Sequence, residues 1–227
     1  MKKITSPFKI IKSSFEIFTK KENFLYFSKI YLPIAILSLI SLLYIYIPFL
    51  ADFFKTPAGN IVMSVYNFIF ALVGVFVSLT GVIAIINLSK SNNLDVKNIY
   101  KSGFSLFWKF LIFTIVTFLI YGLGFVLIII PFILTVTWFV FAKFIFIEKK
   151  LGLKKSLIES KNLVKGRFWK VFIRIFVFAL FAFISQTILT SLPYGVGVVI
   201  YYLCGALFTI PYFLLYKELS SDKTLSE

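Results

Sequence analysis

The chain has 227 residues, is 60% hydrophobic and 15% charged, and combines a mean hydropathy of +0.97 with a formal net charge of +15. A soluble domain carries about 25% charged residues, so this composition points instead to a bundle of membrane helices, each needing roughly 20 apolar residues. With no histidine and the single cysteine Cys204, an internal disulfide, a thiolate metal cluster and histidine catalysis are excluded.

The start, Met1-Lys2-Lys3, is basic, but charges return at Lys9, Lys12, Glu16, Lys20, Lys21 and Glu22. No apolar core of a cleaved signal peptide opens there, and the N-terminus is expected to be retained. In the same stretch Phe8, Ile11, Phe15 and Phe18 recur at steps of three and four while the lysines fall off that stripe. This predicts an amphipathic interfacial helix over about 7–21.

Apolar stretches then predict crossings at about 30–50, 61–88, 103–121, 125–147, 171–190 and 194–216. The third and fourth share an uncharged run, Phe110–Ala142. A hairpin fits into it if Lys109 and Lys143 snorkel to the interface and Gly122-Leu123-Gly124 makes the turn. The last two crossings occupy the 42 uncharged residues between Arg174 and Lys217. Six crossings place 23 of the 24 Lys and Arg residues on one side and Lys55 alone on the other. The positive-inside bias then assigns both termini to the cytoplasm.

Two further amphipathic segments are expected at about 93–102 and 152–166. In the latter, Leu153, Leu157, Ser160 and Val164 share a face. An interfacial helix before each pair of crossings suggests three repeated units. The fold class expected is therefore all-α: one polytopic integral membrane domain over 1–227, with six transmembrane helices and interfacial amphipathic helices.

Within the crossings, Ala71, Gly74, Ser78 and Gly81 form a small-residue stripe suited to close helix packing. Asn67 and Gln186 are intramembrane polar candidates, Gln186 being the deeper candidate for a cavity. Pro33, Pro131 and Pro211 interrupt crossings and kink them or leave carbonyls for a substrate. Glu148, where the fourth crossing leaves the membrane among lysines, is the candidate structural anchor. Lys161, Arg167, Lys170 and Arg174 are candidates to hold lipid phosphate, with Trp169 as an aromatic-belt residue beside them.

The stretch Phe146-Ile147-Glu148-Lys149-Lys150-Leu151-Gly152, continuing through Ser160 to Lys165-Gly166-Arg167-Phe168-Trp169-Lys170, resembles the membrane domain associated with bacterial glycerophosphoryl diester phosphodiesterases and its stand-alone integral membrane relatives. Lys101-Ser102-Gly103 through Phe107-Trp108-Lys109 fits the preceding junction of that pattern. The resemblance implies six helices and an acidic residue at position 148. It implies no hydrolase activity here, because in that family phosphodiester chemistry belongs to a separate soluble barrel domain.

The residues themselves offer no close carboxylate pair for a divalent metal. No catalytic residue, metal site or cofactor is expected. The function expected is a non-enzymatic membrane platform binding lipid or a partner, with a small transporter or lipid-translocating permease for an amphiphilic substrate as the alternative. Anionic phospholipids and a membrane protein are the expected partners, and nucleic acid is not. A polar cavity near Gln186 would favour transport, and a solid Phe-packed centre would favour the platform.

Overall fold

A computed structural model describes residues 4–47, 52–91, 95–127, 129–192 and 195–224. These form α1 (Pro7–Phe18), α2 (Lys21–Tyr46), α3 (Pro57–Ser91), α4 (Val96–Val126), α5 (Ile129–Phe139), α6 (Ala142–Glu148), α7 (Leu153–Val164), α8 (Phe168–Thr190), α9 (Val196–Leu203) and α10 (Gly205–Thr224). Six segments are long and apolar enough to cross a membrane: α2, α3, α4, α5 with α6, α8, and α9 with α10. The chain is an all-α, polytopic membrane helix bundle.

The spans follow one another around a ring. α2 packs on α3, α3 on α4 and α4 on α5; α5 touches α8, and α9 closes the ring against both α8 and α2. α10 is the hub, touching α1, α2, α3, α7 and α8. Burial is concentrated toward the basic end of the spans. Val82–Ile86 of α3, Phe141, Phe144 and Ile145 around α6, and Leu215, Tyr216 and Leu219 of α10 are all buried. Toward the other end, Ile61, Val65, Phe68, Leu123, Val126 and Ile188 are exposed, as side chains bathed in lipid can be.

Local chemistry accounts for the helix starts. Ser6 caps α1 by accepting from the Lys9 amide, with Pro7 at the first helical position. Asp95 caps α4 by accepting from the amides of Lys97 at 2.9 Å and Asn98 at 3.3 Å. Pro33 lies inside α2 and has no amide to give the Lys29 carbonyl one turn back. The Tyr100 hydroxyl of α4 donates to that carbonyl at 2.9 Å, so no substrate is needed to satisfy it. Pro131 sits in the first turn of α5, where a missing amide costs little. That span breaks instead at Val140–Phe141, and Pro211 lies inside α10.

Several boundaries differ from expectation. Residues 93 and 94 lie outside the described residues, as do 48–50 and 194 at the expected ends of the first and last crossings. From Val96 the second interfacial segment is no separate helix but the opening turns of α4. At 31 residues α4 is about 46 Å long against about 30 Å of hydrocarbon, so its surplus length supplies the amphipathic part without a break. The three interfacial segments are therefore not built alike. The turn is not at Gly122-Leu123-Gly124 either, since α4 continues to Val126. Gly124 serves packing: a Cβ there would lie 2.7 Å from Thr135 Oγ1 and 3.2 Å from Phe132 Cα of α5.

The face of α1 that meets the bundle is Ile10, Ser14 and Phe18, about a fifth of a turn from the expected stripe and sharing Phe18 with it, while Phe8 and Phe15 stay exposed. A helix that packs on protein and touches lipid has two apolar sides, and sequence periodicity blends them. In α7 the expected face holds, with Ser160 and Val164 buried and Leu153 and Leu157 packed on the core. The small-residue stripe of α3 divides in two. Gly74 and Gly81 admit Ile34 and Tyr31 of α2, whereas Ala71 and Ser78 are exposed.

Candidate functional site

Glu148 ends α6, and the chain leaves through Lys150 in the left-handed region at φ 52°. Its Oε1 accepts from Lys217 Nζ of α10 at 2.7 Å and pairs with Lys90 Nζ of α3 at 3.3 Å. One carboxylate, 11% exposed, thus staples three helices at the basic end. Lys149 pairs with Glu159 across the turn into α7. Ser160 Oγ donates to the Trp138 carbonyl at 2.6 Å, covering an acceptor near the break between α5 and α6. Beside it, Lys161 Nζ stands 4.4 Å from the centroid of the Trp138 ring.

The five lipid candidates do not form one pocket. Lys161 is engaged by Trp138, and Arg167 is partly buried just before α8. Trp169 and Lys170 are exposed on the first turn of α8. Arg174 turns inward, its Nε donating to the Thr5 carbonyl at 2.8 Å and its Nη2 to the Ile4 carbonyl at 2.7 Å. From the other side, Glu218 Oε1 of α10 accepts from the Thr5 amide at 2.7 Å and its hydroxyl at 2.8 Å. Residues 4 and 5 are thereby clamped between α8 and α10, which seats α1.

Neither intramembrane polar candidate lines the cavities described below. Asn67 is exposed on α3, and Gln186 is exposed on α8. No protein-family model, curated protein or solved structure matches this chain. The resemblance around 146–172 accordingly rests on those residues alone.

Polar groups line several cavities, among them one with Lys109 and Lys150 and one with Tyr31, Tyr202 and Thr209; two more bear on function. One of about 340 Å³ opens at the basic end between the α1–α2 turn, α3 and α10, with Lys20, Glu22, Asn23 and Ser89 among its lining. The other, of about 530 Å³, lies between α3, α4, α5, α6, α8 and α10 and contains Lys143, Tyr121 and Tyr212. Lys143 lies five residues before Glu148, about 7 Å deeper along the helix, and lines this cavity rather than simply reaching an interface. The sequence does signal this, because four apolar residues, Phe144–Ile147, separate Lys143 from the nearest charge on the following side. Lys90, Lys217 and Glu218 carried no such signal, since a lysine or glutamate at a helix end looks alike whether it faces solvent or a partner. Among the described residues, no group of three or more His, Cys, Asp or Glu side chains is placed to hold a metal ion.

Proposed function

We propose that this protein is a non-enzymatic platform of a bacterial cytoplasmic membrane, with both termini cytoplasmic, that gathers anionic phospholipids at its basic face. The observation that carries this reading is a set of three exposed aromatic residues on three different helices: Phe8 of α1 at 74%, Trp108 of α4 at 71% and Trp169 of α8 at 69%. Exposed lysines accompany each: Lys9 and Lys12, Lys101 and Lys109, Lys165 and Lys170. Tryptophan rings favour the head-group layer, phenylalanine on an interfacial helix inserts just below it, and each lysine close to an anionic surface contributes about 1 kcal/mol. The clamp on residues 4 and 5 seats α1 against α8 and α10, so lipid meets a preformed rim there. A membrane protein partner would use the same rim.

Replacing those six lysines with glutamine is expected to lower retention of phosphatidylglycerol through detergent purification by at least about tenfold. Retention of phosphatidylcholine should not change. Equal phosphatidylglycerol retention by the variant and the parent would remove the platform reading. Orientation has its own measurement in a background lacking Cys204: cysteines placed at Lys55 and Lys154 should react with an impermeant maleimide from opposite sides. In intact cells position 55 should be labelled and position 154 protected; matching sides would overturn the six crossings, and labelling of position 154 but not 55 would overturn the assignment of the basic face to the cytoplasm.

The discontinuity of two spans, at Val140–Phe141 and at Cys204, supports a second reading, a small permease for an amphiphilic substrate, because broken helices often border substrate paths. That reading requires the basic end to open where Glu148 holds it shut. Movement of a labelled amphiphile across reconstituted vesicles, lost on crosslinking position 148 to position 217, would favour it over the platform.

A further inference from the structure

We infer that the cavity around Lys143 is a binding site for a single-chain amphiphile with an oxyanion head, a carboxylate or a phosphate, entering sideways from the bilayer. The Lys143 ammonium lies within the fourth span, 5.2 Å from the neighbouring Phe144 ring, and makes no ion pair or hydrogen bond among the described residues. No carboxylate lines the cavity, and Glu148, the nearest acid along the chain, is already held by Lys90 and Lys217. An intramembrane cation without a counter-charge marks a place where an anion is expected to come from outside the protein.

The rest of the lining fits the remainder of such a molecule. Tyr121 and Tyr212 bring two hydroxyls that make no hydrogen bond among the described residues, so both are available as donors to an oxyanion. Thr114 and Thr117 donate to the Phe110 and Phe113 carbonyls at 2.8 Å each, so their hydroxyl protons are used within α4. Phenylalanine, valine and isoleucine side chains make up most of the other walls. At about 530 Å³ the cavity falls in the range of about 300–1,000 Å³ usual for small-ligand sites, room for one chain rather than a two-chain phospholipid. Phe118 lines it and is 73% exposed, so the cavity is continuous with the lipid-facing flank of α4. This site is separate from the rim proposed above, and neutralising the six rim lysines leaves it intact.

Native mass spectrometry in detergent, titrating palmitate, palmitoyl lysophosphatidic acid and palmitoyl lysophosphatidylcholine, tests the assignment. One equivalent of palmitate or of lysophosphatidic acid should bind at least tenfold more tightly than the zwitterion, and the tighter of the two identifies the head group. Lys143→Met should abolish that preference, Lys143→Arg should keep it, and Tyr121→Phe with Tyr212→Phe should weaken it several-fold. No preference for the anions in the parent protein, or an undiminished preference in Lys143→Met, overturns the proposal. Should Lys143→Met fail to assemble, Ala179→Trp fills the cavity from α8 with Lys143 in place: loss of binding supports the site, and unchanged binding overturns it.

Discussion

Gly197→Ala is expected to lower the midpoint of thermal unfolding in detergent by about 10 °C, reflecting a loss of about 3 kcal/mol. Gly197 lies in the first turn of α9, which follows Gly195 in the left-handed region at φ 67°. A Cβ at position 197 would fall on the Leu189 carbonyl near the end of α8. That obstacle is backbone and cannot rotate away, so α9 must move off α8, and with it the packing of α9 on α2 that closes the ring. Gly122→Ala is the matched control. A Cβ there meets nothing within 4 Å, and alanine in a helix interior should stabilise by up to about 1 kcal/mol. Similar midpoints for the two variants would show that the α8–α9 approach is looser than described.

Glu148→Gln is expected to cost about 2 kcal/mol, or about 5 °C in the same measurement. Removing one partner from a fully buried pair costs about 3–5 kcal/mol, but here Lys90 is 51% and Lys217 40% exposed, and solvent screens the charges left behind. The substitution keeps the shape of the side chain and removes the charge that holds α3, α6 and α10 together. Lys217→Met should cost less, because Lys90 still neutralises the carboxylate. The double variant should fall short of the sum of the single ones by about 1 kcal/mol. Strict additivity would mean that Glu148 and Lys217 are neighbours without being a pair.

The sequence made the spans legible because crossing a bilayer demands length and apolarity, and both can be counted. The buried face of α7 was legible for a related reason: its exposed side carries Lys154, Lys155 and Lys161, so only one side of the helix is apolar. Inside the membrane that contrast disappears. Lipid and protein ask for the same side chains, so nothing in the pattern of α8 separated the exposed Gln186 from the buried Ile175 and Phe178. The turn expected at Gly122-Leu123-Gly124 failed because α4 runs through it, with Gly124 answering a neighbouring helix and Gly122 facing open space, and hydropathy contains no information about neighbours. The inward bonds of Arg174, a lipid candidate by sequence, were hidden for the same reason: the carbonyls of Ile4 and Thr5 to which it donates lie 170 and 169 residues away in the chain.

The hydrogen bonds from Thr5 to Glu218 join residues 213 apart, and this imposes an order on assembly. At translation rates of about 5–20 residues per second, roughly 10–40 s pass between synthesis of Thr5 and of Glu218. Throughout that interval α1 lacks α10, the helix on which it chiefly packs, and has only α2, later α8, and lipid to cover its apolar sides. The membrane surface therefore serves as a temporary holder for the first helix, and the last span releases that helix into its final seat.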